Sequence, residues 1–280
     1  MSHQSLVSIV IATRNREKYI KRAIDSVLNQ TYKNIEVIIV DGGSTDNTKE
    51  VIRPFFTDQR VRYIYKEDKH ATEGLNNGIE ISRGKYIAIL DSDDFWCDRR
   101  KLEKQVKFFE EHPDYVLIGG GAIAIDEKRN EYYRVLPPER DEEIRKVMLF
   151  DCVFQHGTIM FRKDVLEKVG GYDEKMTFSW DWDLWLRMGK FGKFYNFQEY
   201  FLYYLIRRET KTKYIRQQNA KFSLKLKWKY RNGYPNFWKA YLLGLGCYLA
   251  SLFPHQEWFS KLLIIPKIKN LFFRRQIYKK

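Results

Sequence analysis

The chain is short of cysteine, of long apolar runs and, towards its carboxyl end, of acid, and each shortage excludes something. Its three cysteines, Cys97, Cys152 and Cys247, are odd in number, far apart and without metal-ligand spacing. That excludes a disulfide framework and a cysteine zinc site, and reduced thiols in a cytosolic setting are expected. The uncharged stretch Ala240 to Phe253 has fourteen residues, short of the roughly 20 that span a bilayer. Met1 to Ser5 carry no basic-then-apolar signal pattern, so export is not expected. No Gly-x-Gly-x-x-Gly follows the first apolar run, which disfavours a dinucleotide cofactor. Internal repeats and low-complexity linkers are also missing.

The shortage of acid is local. From Arg207 to Lys280 there are 18 Lys or Arg against two acids, Glu209 and Glu257, whereas the first 206 residues hold 32 basic and 34 acidic side chains. The net charge of +14 therefore belongs to the tail and describes what the tail touches. Ile215 to Arg231 interleaves Lys and Arg with Phe222, Leu224, Leu226 and Trp228, and Ile264 to Phe273 sets apolar residues beside Lys267, Lys269, Arg274 and Arg275. Interfacial helices on an anionic membrane surface are expected, with rings at headgroup level. The same interleaving would suit nucleic-acid phosphates, or a basic face packed on its own domain. At 280 residues and 44% hydrophobic, the chain has room for one α/β domain of roughly 200 residues plus an appendage.

Leu6 to Ala12, Ile35 to Val40, Val61 to Tyr65 and Tyr86 to Leu90 are apolar runs with strand character. Helical patterns lie between them: Ile20, Ala23, Ile24, Val27 and Leu28 share a face, and helices are expected over about 47–56 and 72–82. Alternation of this kind implies right-handed crossovers and a mostly parallel sheet covered on both sides. Beyond it the spacing predicts helices over 101–111, 141–150, 163–169 and 181–188 and strands over 115–124 and 157–161. Gly119, Gly120 and Gly121 inside a strand predict a bulge or a close backbone approach.

Directly after Tyr86 to Leu90 comes Asp91-Ser92-Asp93-Asp94. Three acids at the carboxyl end of a central strand lie where ligands gather in open α/β sheets. They repel one another unless a cation sits among them, and Mg²⁺ or Mn²⁺ suits one or two carboxylates, waters and substrate phosphate oxygens. The same residues are also an acidic helix-start signal.

Four segments in order carry a resemblance. Val7 to Arg16, the turn Val40-Asp41-Gly42-Gly43-Ser44-Thr45-Asp46-Asn47-Thr48, Leu75-Asn76-Asn77-Gly78 and the Asp91 to Asp94 cluster look like family 2 of the nucleotide-sugar glycosyltransferases. The likeness continues through Gly170-Gly171-Tyr172-Asp173 and Trp180 to Arg187, covering roughly residues 5 to 205. It implies an A-type glycosyltransferase fold, with a Rossmann-like, mostly parallel sheet flanked by helices. The expected division is a catalytic domain over 1–205 (nucleotide half about 1–98, acceptor half about 99–205) and a basic, aromatic, helical tail over 206–280.

The resemblance also implies roles. Asp41 receives the uracil N–H with Thr13 beside it, Asp91 serves the ribose or nucleotide side, and Asn76 lies near the sugar or diphosphate. Asp93 holds a Mn²⁺ or Mg²⁺ ion, with Asp94 in support. Asp181 is the base that takes the acceptor proton and Asp183 its competitor, while Trp182 and Trp185 belong to the core. In two places the chain departs from the family. Trp180 stands where Glu is common before the base, and His70 stands where Gly is frequent. His70 reads either as a diphosphate contact or as a loop residue, and His156 either as a donor to phosphate or acceptor or as an ordinary buried histidine.

The function this implies is inverting, metal-dependent transfer of a sugar from a UDP-sugar to a glycan or lipid-linked glycan, in cell-surface polysaccharide synthesis. The enzyme would be cytoplasmic and peripheral on the inner face of the membrane. A nucleotidyltransferase would use similar acids but needs a glycine-rich phosphate loop, which Thr13-Arg14-Asn15-Arg16 is not. A nucleic-acid-binding protein would rely on the tail alone, and nucleic acid is not an expected partner.

Overall fold

The computed structural model describes residues 4–206, 213–252 and 274–277. The strands are β1 (Val7–Thr13), β2 (Ile35–Asp41), β3 (Val61–Tyr65), β4 (Tyr86–Ile89), β5 (Phe95–Trp96), β6 (Tyr115–Ile125), β7 (Glu131–Leu136), β8 (Met160–Arg162), β9 (Lys193–Leu205) and β10 (Arg274–Ile277). The helices are α1 (Ile20–Leu28), α2 (Thr48–Ile52), α3 (Ala71–Glu80), α4 (Lys101–Glu111), α5 (Asp141–Val147), α6 (Lys163–Val169), α7 (Trp180–Met188), α8 (Lys213–Lys229) and α9 (Phe237–Leu252).

One sheet runs in the order β10-β7-β6-β8-β4-β1-β2-β3, with β9 beside β6 and β5 beside β9. The nucleotide half is parallel: β1 lies between β2 and β4, and β3 flanks β2. Every residue of β2 and of β4 is buried, as continuous apolar runs with helices on both faces require. The register pairs Thr13 with Asp41, so the last residues of β1 and β2 lie side by side at one edge of the sheet.

Departures from the sequence reading have local causes. The helix expected over 47–56 stops at Ile52 and continues as a 3-10 turn over Arg53–Thr57, because Pro54 in the first turn has no N–H to extend the α pattern. The strand expected over 157–161 is a 3-10 turn, His156–Thr158, followed by β8. β9 was not expected, and it is the long parallel partner of β6. The bulge does occur: the β6–β9 register shifts at Gly120 and Gly121. A Cβ on Gly119, Gly120 or Gly121 would stand 2.6 Å from Asn196, Phe201 or Leu136 respectively.

α8 and α9 form a hairpin seated on α7. Leu226, Tyr230, Tyr234 and Ala240 are buried in the common core. The Tyr234 hydroxyl donates to Leu186 O at 2.9 Å, and Asn236 Nδ2 donates to Lys146 O at 3.0 Å. The stretch Ile264 to Phe273 lies outside the described residues. Arg274 and Arg275, expected with that stretch, lie instead in β10, an antiparallel edge beside β7.

Candidate active site

The loops after β1, β3 and β4 and the residue that opens α7 enclose a cavity of about 460 Å³. Thr13, Arg14, Arg16, Asp68, His70 and Trp180 line it, together with Asp91, Ser92 and Asp93. The first loop is fixed from the second: Asn15 N–H donates to Ser44 Oγ at 2.9 Å, and Thr45 N–H donates to Asn15 Oδ1 at 2.8 Å. Asn15 takes a positive φ of 53° to do so, a conformation asparagine tolerates better than most residues.

Thr13 is 4% exposed, and its hydroxyl has no hydrogen-bond partner. A buried, unpartnered hydroxyl on a cavity wall is costly unless a ligand completes it. Asp41 lies beneath, 1% exposed. One of its carboxylate oxygens accepts Ser44 N–H at 2.8 Å and the other accepts the Tyr63 hydroxyl at 2.9 Å. It does not itself line the cavity. Asp68 does, and sequence reasoning missed it; its signal is the acid that follows β3 on the edge where Thr13 and Asp41 end. A side chain at Gly42 would collide with the Asp68 carboxylate, so glycine there is what admits this acid. Burial pushes the Asp68 carboxyl up from its ordinary value, against the pull of Arg14.

The acid cluster divides. Asp91 and Asp93 face the cavity, and Arg16 Nε lies 3.7 Å from Asp93 Oδ2. Asp94 turns the other way: it is 5% exposed and accepts Leu205 N–H at 2.9 Å. Burial, and then the charge of Asp91, drive its carboxyl well above the usual range. Asp94, expected as a supporting ligand, is thus held by β9 and is not among the residues that line the cavity.

His156 is bound at both nitrogens. Its Nδ1 is 3.0 Å from Asp91 Oδ1 and its Nε2 is 3.0 Å from the Tyr172 hydroxyl. The turn that carries it is held from below, where Trp96 Nε1 donates to Gly157 O at 2.7 Å and Gln105 Nε2 donates to Thr158 O at 2.9 Å. Desolvation works against the imidazolium, but Asp91 outweighs it and raises the His156 pKa above its ordinary value. Asp91 shows the reverse balance: desolvation would raise it, yet His156 and then Arg16 hold it below the carboxylate range. The contacts make His156 the residue that orients Asp91. His70 lies just before α3 and lines the cavity.

Asn76, expected near the sugar or diphosphate, is not among the residues that line the cavity. Its amide donates to Tyr172 O at 2.9 Å and to Glu174 Oε1 at 2.8 Å, and its oxygen accepts Tyr172 N–H at 3.0 Å. It ties α3 to the loop that carries Tyr172. Across the cavity from β1, Trp180 packs edge-on to His156 with ring centroids 5.0 Å apart. Its neighbour Asp181, the second residue of α7, is half-buried and not among the cavity-lining residues, with Cys152 Sγ 3.7 Å from its Oδ2. Burial raises the Asp181 carboxyl above its ordinary value, while the His156 charge pulls it back. Trp182 and Trp185 are core residues, 4% and 0% exposed.

Asp183 is corrected. It is fully buried and accepts Arg187 Nε, Lys229 Nζ and the Tyr230 hydroxyl, each at 2.8 Å. Desolvation would raise its carboxyl, but those donors prevail and lower it, so it has neither access nor basicity for proton transfer. It is the clasp between α7 and α8. Asp183→Ala is expected to cost about 3 kcal/mol, the lower end for a broken buried ion pair because Lys229 remains half-exposed. Thermal melting should show a fall of roughly 6–12 °C.

A model for glycosyl transferase family 2 matches residues 8–170. The chain is 35% identical over 257 residues to the uncharacterized glycosyltransferase MJ1057 of Methanocaldococcus jannaschii, covering 87% of this chain and 88% of that protein. It is 34% identical over 185 residues to the O-antigen biosynthesis glycosyltransferase WbnJ of Escherichia coli, covering 65% and 71%. Among solved structures, the fold matches the mannosyltransferase PcManGT from Pyrobaculum calidifontis in complex with GDP-Man and Mn²⁺, with a TM-score of 0.65 at 18% identity over 92% of this chain and 72% of that one. S. aureus TarS 1-349 in complex with UDP-GlcNAc matches with a TM-score of 0.60 at 14% identity over 89% and 73%.

Proposed function

The chain belongs to glycosyltransferase family 2, and from that membership we propose that it moves a sugar from a uridine-diphosphate donor, with inversion, to a glycan or lipid-linked glycan acceptor of the cell surface. It works from the cytoplasmic side, peripheral on an anionic membrane. One juxtaposition carries the reading: the unpartnered Thr13 hydroxyl and the carboxylates of Asp91 and Asp93 line a single cavity beside Trp180.

In the reaction, an acceptor hydroxyl attacks the anomeric carbon, the bond from that carbon to the diphosphate oxygen breaks, and the hydroxyl proton passes to Asp181. Burial raises the Asp181 carboxyl above its ordinary value, which suits a base, and the Cys152 thiol steadies one of its oxygens. Asp93, with Asp91, would hold a divalent cation. Two oxygen ligands that open on a cavity fit Mn²⁺ or Mg²⁺, which take few carboxylates and complete their shell with phosphate and water. Such a cation stabilises charge on the departing diphosphate. Arg14, Arg16 and His70 add donors along the same wall, and Asn76 positions the loop that carries Tyr172.

Solved neighbours hold GDP-Man in one case and UDP-GlcNAc in the other, so the choice of base rests on other grounds. Each Asp41 oxygen already accepts one donor and keeps one further lone pair, so this buried carboxylate does not by itself separate uracil from guanine. The uridine assignment follows the resemblance carried by Val7 to Arg16 and Val40 to Thr48, with Thr13 as the group on the cavity wall. Thr13 adds a hydroxyl for a flanking carbonyl, and uracil offers one N–H between two carbonyls. Calorimetry with Mn²⁺ should find UDP bound at least about tenfold tighter than GDP, and Thr13→Val should weaken UDP about fivefold, the worth of one hydrogen bond. Tighter GDP binding would overturn the uridine assignment, and absence of binding by either nucleotide would overturn the site.

A further inference from the structure

α9 presents an apolar stripe to solvent. Trp238, Leu242, Leu245, Leu249 and Leu252 follow one another at spacings of four, three, four and three, which places them on one helix face. Trp238 is 66% exposed, Leu242 61%, Leu249 48% and Leu252 44%. Contiguous apolar surface of this kind marks an interaction site when it persists on a folded chain. At the turn end of the hairpin, Trp228 joins the stripe through Phe237 and Tyr241, with ring centroids 5.7 and 5.6 Å apart, and the Arg231 guanidinium lies 4.9 Å over the Trp228 ring. Lys221, Lys225, Arg231 and Lys239 are exposed alongside.

We propose that the α8–α9 hairpin is a membrane-docking foot, with the α9 stripe seated in the headgroup layer of an anionic lipid surface and the flanking lysines and arginine on lipid phosphates. This names the tail's partner within the reading above, and it rests on that reading only in supposing an acceptor carried at the membrane. Charge decides the occupant. Residues 213–252 contain eight Lys or Arg and no Asp or Glu, so a second copy docked stripe to stripe would bring like charges together. Nucleic acid would engage the lysines and leave the stripe in water. An anionic bilayer surface satisfies both. α9 has 16 residues, about 24 Å of helix, and no described helix is long and apolar enough to cross a membrane; it therefore lies in the interface plane.

The back of the foot is tied to the chemistry. Lys229 and Tyr230 hold Asp183, and Tyr234 holds Leu186; Asp183 and Leu186 lie on α7, the helix whose second residue is Asp181. A hairpin seated on lipid thus fixes the height of the proposed base above the membrane.

The test is density flotation of the full chain with phosphatidylcholine vesicles, with and without phosphatidylglycerol, at low and high salt. The chain is expected to float with the anionic vesicles at low salt and to be released progressively as salt rises. A double variant, Trp238→Glu with Leu242→Glu, should lose at least about tenfold in vesicle affinity, while hydrolysis of a UDP-sugar is unchanged. Failure of the native chain to float, equal flotation of the double variant, tight oligonucleotide binding without vesicle binding, or a dimer that the double variant dissociates would each overturn the proposal. Flotation without any hydrolysis would leave the foot standing and count against the sugar-transfer reading instead.

Discussion

Asp181→Asn is expected to lower turnover by about three orders of magnitude, in the middle of the range for a positioned general base. The affinity for UDP should stay within about twofold of the native value, since the amide keeps the size of the carboxylate and removes an interaction made only as the acceptor proton leaves. Calorimetry with UDP and a transfer or donor-hydrolysis assay on the same preparation check the two halves. The expectation rests on burial, which raises the Asp181 carboxyl although the His156 charge, the Trp182 backbone and the Cys152 thiol pull it back. Asp183, two residues on in the same helix, makes the contrast: its carboxylate is consumed by three donors. A substitution there should melt the protein earlier without acting on the chemical step. Normal turnover in Asp181→Asn would move the base role to another group.

That contrast also shows how far the sequence could be read. β1, β2, β3 and β4 were legible because parallel strands buried on both faces leave unbroken apolar runs ended by turn residues. The acids at the end of β4 stood out because ligands gather beyond the carboxyl ends of central parallel strands and adjacent carboxylates repel one another without a cation. What a one-dimensional pattern does not carry is direction. Asp93 and Asp94 are neighbours, yet one faces the cavity and the other is pinned by Leu205 N–H, a partner 111 positions away. Asp181 and Asp183 differ for the same reason, since two of the three donors that claim Asp183, Lys229 and Tyr230, lie 46 and 47 positions later at the end of α8. β9 was hidden because Asn196, Gln198 and Glu199 interrupt its apolar residues and its pairing with β6 is non-local. His156 was singled out, but its hold on both Asp91 and Tyr172 depends on loops that only the folded chain brings together.

Asp93→Asn should produce the second large loss, with a signature of its own. Removing the carboxylate that would hold the cation takes away a ligand where charge gathers on the departing diphosphate, and turnover should fall by at least about a thousandfold. Unlike Asp181→Asn, it should also weaken UDP, because the nucleotide and the cation bind as a unit. Native protein titrated with UDP should bind more tightly in Mn²⁺ than in chelator, and Asp93→Asn should bind equally weakly in both. Asp94→Asn separates ligand from neighbour: Asp94 anchors β9 through Leu205, and its amide can still accept that N–H, so manganese-dependent UDP affinity should survive. Arg16, 3.7 Å from Asp93, bears on the same balance. It offsets the acid before the donor arrives and lies on the wall where phosphate would then take its charge, so loss of Arg16 should weaken UDP whether or not manganese is present. If Asp93→Asn kept the manganese response of the native chain, the cation would have to be held elsewhere, and the acid pair at the end of β4 would lose its proposed purpose.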